Sequence, residues 1–161
     1  MLMAVAGAIA LATGPASQSY DQTFVRSAYA GTLMMVRGAK LVRLKSSDRH
    51  VRAYADTVVA DYGGASSDLL RIARDTGMDI TAPSAPDDDF GELARASGAA
   101  IGPAYYRRTK ADFHWIIGLL RGEIAHGRVG ALRDFAGRQL ALAHRDARLA
   151  RGRLTSTLGK T

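Results

Sequence analysis

The chain predicts an all-α fold, an antiparallel four-helix bundle, and three observations carry that reading. Apolar and small residues recur in alternating steps of three and four over four long stretches, the seam spacing of packed helices. Alanine and leucine are plentiful, aromatics make up only 7% of the residues, and the four prolines all lie in the first two-thirds of the chain, which suits helices better than a sandwich of short strands. Most connections between the stretches are short, as antiparallel neighbours require. With 161 residues, 47% hydrophobic and 23% charged, the composition is that of one globular domain with a real core.

Residues 1–19 read as a signal peptide or apolar N-terminal segment. Met1 to Ala12 is uncharged, too short to span a bilayer as a helix, and is followed by the small or helix-breaking residues Thr13 to Ser17. Ala10-Leu11-Ala12 fits the A-x-A cleavage pattern, so the expectation is export to the periplasm or cell envelope, with a mature chain starting no later than Tyr20. The absence of a basic leader leaves a buried N-terminal helix as the alternative. A bundle domain is expected over residues 20–155, with a flexible C-terminal tail over 156–161.

The first long helix, Asp21 to Lys45, carries the seam Phe24, Ala28, Gly31, Met35, Gly38 and Val42, where small residues allow close approach. The second starts after the cap candidates Ser46, Ser47 and Asp48 and runs Val51, Ala55, Val58, Tyr62, Ala65, Leu69 and Ile72 to a stop at Gly77. Gly63 and Gly64 make a local bend plausible within it. Residues 78–86 form the one long connection, and Asp87, Asp88 and Asp89 suit the positive end of a short helix running to about Ala96. Gly102 and Pro103 open the third long helix, which reaches Ala125 with Phe113, Ile117, Leu120 and Ile124 on one face. After a turn at Gly127 to Gly130, the last helix runs from Ala131 to Leu154 with the stripe Leu132, Ala136, Leu140, Ala143, Ala147, Ala150 and Leu154.

Several of these residues resemble a bacterial family, domain-of-unknown-function family 4142, whose members are described as ferritin-like membrane or outer-membrane proteins. The resemblance covers Phe24 to Ala150. It rests on Phe24, Ala28, Gly31, Val36 and Gly38; on the pattern S-D-x-x-V-x-x-Y-A-x-x-V-V-A-D over Ser47 to Asp61; on Leu69 to Gly77; on Ser97 to Ala100 with Tyr105; and on Phe135-Ala136. It implies a ferritin-like bundle. The departures are informative: family members typically have histidine after each of the aspartates matching Asp61 and Asp112, where this chain has Tyr62 and Phe113, and Met35 stands where a first-helix glutamate is common. Whatever those polar groups do in the family, the resemblance implies that this chain has lost it.

Candidate chemistry is sparse. With no cysteine there is no disulfide, thiolate metal site or cysteine nucleophile. No phosphate loop and no G-x-S-x-G elbow occurs. Of the four histidines, His50, His114, His126 and His144, no two are three or four apart. Glu123 and His126 form a single E-x-x-H pair, whereas di-iron bundles need two such pairs plus two further glutamates, and Glu92 is the only other glutamate. A composite of His114 and His144 is the other arrangement left open. No catalytic residue, metal ligand or cofactor is therefore assigned.

Two surfaces remain. Phe113 to Leu120 reads F-H-W-I-I-G-L-L, apolar nearly all round, so Trp115 is either covered by the short helix or is an exposed patch for a partner or a second copy. The last helix projects Arg138, Arg145 and Arg148 away from its apolar stripe, with Arg133 and Arg151 on the flanks. From Arg121 onward there are eight arginines and one lysine against three acids, most of the formal +7 charge. This is either a solvated face or a contact for an anionic membrane or envelope surface. Nucleic acid is disfavoured because no aromatic platform accompanies the arginines. The function expected is an exported, non-enzymatic bundle acting as an envelope-associated binding or structural module. The rival is a ferritin-like metal-binding or oxidoreductase bundle, and metal content after chelator-free purification separates the two.

Overall fold

The structure, a computed structural model, describes the backbone of residues 15–81 and 90–158 and the side chains of 20–81 and 90–153. Every regular element described is helical: α1 (Pro15–Lys45), α2 (Arg49–Thr76), the short α3 (Gly91–Arg95), a 3-10 turn (Gly98–Ala100) leading directly into α4 (Ile101–His126), and α5 (Gly130–Leu158). Met1 to Gly14 and the aspartates 87–89 lie outside the described residues, so the proposed cleavage site and acidic helix start do too. The last helix extends beyond both its expected end at Leu154 and the expected domain limit at 155.

The ends of α2 follow from its local chemistry. Asp48 has an extended backbone, and its carboxylate accepts the amides of His50 at 2.7 Å and Val51 at 3.4 Å, which satisfies two donors of the opening turn. Gly77 takes φ 67° at the other end, and the Met78 amide reaches back to the Ala73 carbonyl at 2.8 Å. A side chain there would meet its own backbone, so glycine terminates the helix. The helix continues through Gly63 and Gly64.

Contacts at the two ends of the bundle define its connectivity. At one end the start of α1 meets the segment just after α2, Gln22 accepting the Asp79 amide at 3.1 Å, and also meets the end of α4, where Tyr20 lies edge-on to His126 at 5.9 Å. Ser46, Val51, Ile101, Tyr106 and Arg153 come together at the opposite end. Thus α1 and α5 run one way while α2 and α4 run the other. The pairs α1/α2, α4/α5, α1/α4 and α2/α5 are antiparallel neighbours. Gly77 and Ala100 thus lie at opposite ends of the bundle, so the connection from α2 to α4 is one long crossover.

The core is one cluster fed by all four long helices, including Phe24, Val42, Val58, Leu69, Leu120, Leu132 and Phe135. The expected stripes of α1 and α2 face it. On α4 the register differs from the expected one: Phe113, Ile116, Leu120 and Glu123 are buried, whereas Ile117 is half-buried and Ile124 is exposed. A segment apolar around most of its circumference gives no unique inward face, so neighbouring isoleucines exchange places at no hydrophobic cost. Gly31 and Gly38 do permit close approach, but by rings rather than by a helix backbone. A β-carbon at Gly31 would fall 2.5 Å from the Trp115 ring, and one at Gly38 would fall 3.2 Å from Phe90. The short helix therefore packs near Gly38, and Trp115 lies over Gly31 with 49% of its surface still exposed.

Candidate functional site

The positions that carry the family comparison lie together in the middle of the bundle. Met35 from α1, Tyr62 from α2 and Phe113 from α4 are all buried, at 5%, 2% and 1% exposure. The rings of Tyr62 and Phe113 sit 5.8 Å apart, inclined at 50°, a separation at which aromatic pairs attract. The place is filled by rings and a thioether, which offer no carboxylate or imidazole to a hard or borderline metal ion.

Beside this pair is a polar group that the expected stripe of α5 leaves out. Asp146, on the inward stripe of α5, is fully buried. Its carboxylate accepts from Arg145 Nε at 2.8 Å and weakly from the Tyr62 hydroxyl at 3.4 Å, while its backbone carbonyl accepts from Tyr54 at 3.3 Å. The Arg145 guanidinium also reaches Asp61 of α2 at 2.5 Å, so one arginine ties α5 to α2 through two acids. Burial pushes the Asp146 carboxyl up and Arg145 pulls it back. The same burial, with Asp146 adjacent, drives the Tyr62 phenol well above its ordinary range. Tyr62 is accordingly a neutral donor, and the cluster is a structural clamp.

A second buried acid sits at the far end of α4. Glu123 is 0% exposed and faces Asp21 of α1, itself 2% exposed. Asp21 accepts the amides of Arg128 at 3.0 Å and Val129 at 3.2 Å, just ahead of α5. Two ionised carboxylates cannot donate to each other, and neither oxygen of Glu123 has another partner among the described residues. Burial, reinforced by the Asp21 charge, pushes Glu123 up to about 8. A proton on Glu123 converts the contact into an O–H···O bond to Asp21. This orientation also separates the E-x-x-H pair, because Glu123 turns inward while His126 is exposed against Tyr20.

The other histidines stand apart. His50 opens α2 and His114 is exposed on α4, whereas His144 is half-buried with Arg121 3.5 Å from its Nε2. Among the described residues no three His, Asp or Glu side chains are gathered so as to hold a metal ion. Signals for the two buried acids were present in the sequence. Glu123 continues the steps Phe113, Ile116, Leu120, and Asp146 follows Ala143 by three and precedes Ala150 by four, so each is a carboxylate placed on an apolar stripe.

On the outside of α5, Arg133, Arg138, Arg145, Arg148 and Arg151 are all exposed. Arg145 nevertheless differs from the expectation that it simply projects into solvent, because the buried Asp146 draws its head group back onto the bundle. Arg133 is close enough for its charge to act on Glu123. No helix among the described residues is long and apolar enough to cross a membrane.

Comparison with known proteins agrees with this architecture. The family described as "Domain of unknown function (DUF4142)" matches residues 6–151. A crystal structure of a DUF305 protein from Streptomyces coelicolor, described as secreted, superposes with a TM-score of 0.78 at 15% sequence identity, covering 88% of this chain and 95% of that one. At that identity the likeness is one of fold. No curated protein matches the chain.

Proposed function

The chain belongs to the DUF4142 family, and from that premise we propose that it is an exported, non-enzymatic bundle, ferritin-like in connectivity, that associates with an anionic envelope surface through the arginine face of α5. The single long crossover between α2 and α4 supports the ferritin-like reading, since that connection distinguishes such bundles from simple up-and-down ones. Export is supported by the secreted description of the structural neighbour. A non-enzymatic role is supported by the interior, where Met35, Tyr62 and Phe113 pack as core side chains.

The observation that carries the reading is the set of exposed arginines on one long helix, from Arg133 to Arg151. Attraction by such a face is mainly electrostatic, with each basic side chain near an anionic bilayer contributing about 1 kcal/mol. Binding therefore declines as salt shortens the screening length. The full chain is expected to sediment with phosphatidylglycerol-containing vesicles at low salt and to be released at roughly 0.5 M salt, where screening extends only a few ångströms. Changing Arg133, Arg138 and Arg148 together to glutamine weakens sedimentation while helix content is unchanged; Arg145 is left in place because it holds Asp61 and Asp146. Binding that ignores both salt and this triple change contradicts the proposal and makes the half-exposed Trp115 the contact to pursue, for a protein partner or a second copy.

A further inference from the structure

We propose that the crevice at the end of the bundle where α2 and α4 begin binds a phosphate group. The crevice encloses about 470 Å³ and is lined by Ser47, Asp48, His50, Gly98, Tyr106 and Arg153, among others. That is within the range of small-molecule sites and far more than one ion requires.

The two helix starts that meet there are finished differently. At α2 the Asp48 carboxylate takes the opening amides, and those bonds hold it below the usual carboxylate range. The other start, where the 3-10 turn passes into α4, has no such acceptor: neither Ser97 nor Ala100 makes a side-chain cap bond. Gly98 and Ala99, which both line the crevice, thus stand at the positive end of a long helical run whose first amides lack a capping side chain. Oxyanions are bound at such ends.

A separate observation points to a ligand at the same place. Tyr106 is 2% exposed, with its ring packed 5.5 Å from Tyr54 and 6.1 Å from Tyr105. It lines the crevice together with Arg153 and Asp48. Its hydroxyl makes no hydrogen bond among the described residues. The hydroxyl opens on the crevice, where an oxygen atom of a ligand can accept it.

The donors come from three elements and differ in kind: helix-entrance amides, a phenol, and the guanidinium of Arg153, with His50 beside them. The terminal oxygens of a tetrahedral phosphate point in three directions, which suits donors converging from different elements better than the two coplanar oxygens of a carboxylate. The remaining volume lies against Val51, Ile101 and Pro103, room for the organic part of an ester. A free phosphorylated solute and a phospholipid headgroup share this chemistry. The crevice lies apart from the middle of the α5 face, and its phosphate chemistry stands without the membrane reading.

The test is an amide-resolved NMR titration of the full chain with glycerol 3-phosphate, with glycerol as the control. Saturable shifts at Gly98, Ala99 and Tyr106 are expected from the phosphate ester and none from glycerol. Tyr106→Phe, which removes only the hydroxyl, is expected to weaken binding about tenfold with the rest of the spectrum unchanged, and Arg153→Gln by a similar factor. Displacement of glycerol 3-phosphate by phosphatidylglycerol vesicles identifies a headgroup as the source, and failure to displace identifies a free solute; both results retain the phosphate site. Absent or non-saturating shifts, or binding indifferent to Tyr106→Phe, overturn it. Because Arg133, Arg138 and Arg148 do not line the crevice, loss of vesicle binding in that variant with the titration preserved separates the two proposals.

Discussion

Asp146 and Glu123 both interrupt the inward stripe of a long helix, and both are fully buried, yet the bundle accommodates them by different means. In the middle, Asp146 keeps a guanidinium beside it and a phenol above it, and the charge is shared with Asp61. At the end, Glu123 faces another acid, Asp21, and burial reinforced by that charge pushes it up to about 8, which favours the neutral, protonated form at pH 7. The contrast shows that a buried carboxylate is an ion pair where an arginine of its own helix can fold back onto it, and a protonated acid where the nearest group already serves a backbone. Asp21 is so engaged, with the amides that precede α5.

Removing the cation tests the first half of the comparison and has the largest expected effect. Arg145→Gln leaves Asp146 buried and unpaired and also releases Asp61. Breaking a buried pair costs about 3–5 kcal/mol, and because this guanidinium is half exposed the expected loss is smaller, about 2–3 kcal/mol, read from urea denaturation at pH 7. An unchanged midpoint would show that Asp146 is accommodated without its arginine.

Titration tests the second half. Glu123 has a folded value near 8 against an ordinary 4.5. Its contribution to stability is therefore fully present below pH 4.5 and is lost as the pH rises through 8, because the unfolded chain gives up the proton first. Asp21 and Arg133 are the charged groups that act on it, and the Arg133 charge opposes the shift. Glu123→Gln, which keeps a donor for Asp21 and cannot ionise, is expected to be more stable than the parent by about 2 kcal/mol at pH 8 and nearly equal to it at pH 4. A difference independent of pH would mean that Glu123 is ionised in the folded chain.

The smallest effect belongs to the phenol. Tyr62→Phe removes a bond of 3.4 Å to Asp146 but keeps the ring against Phe113, so a cost of no more than about 1 kcal/mol is expected in thermal denaturation. A loss as large as that of Arg145→Gln would make the phenol, rather than the guanidinium, the group that holds Asp146.

These acids also mark the limit of what the sequence makes legible. The stripes of α1 and α2 are clean, the caps at Asp48 and Gly77 have their own chemistry, and the four long helices can be placed from spacing alone. Glu123 and Asp146 read as surface charge, although each falls at an apolar step, because spacing does not state what faces a side chain from another helix. The α4 register is open for the opposite reason, since Ile116 and Ile117 are equally apolar. Arg145 can be placed on the outer face of α5 but not beside Asp61, a residue 84 positions earlier. The crevice is assembled from two helix starts and the end of α5, a convergence set by the crossover and invisible to local pattern.

The envelope assignment rests on the outer face of the same helix that carries Asp146. Its most direct test is fractionation of cells of the native host, followed by a wash of the envelope fraction with roughly 0.5 M salt and N-terminal sequencing of the released protein. The account predicts a chain that stays with the envelope at low salt, leaves it in the wash, and begins between Thr13 and Tyr20. Recovery of the chain from the cytoplasm with Met1 intact would contradict it.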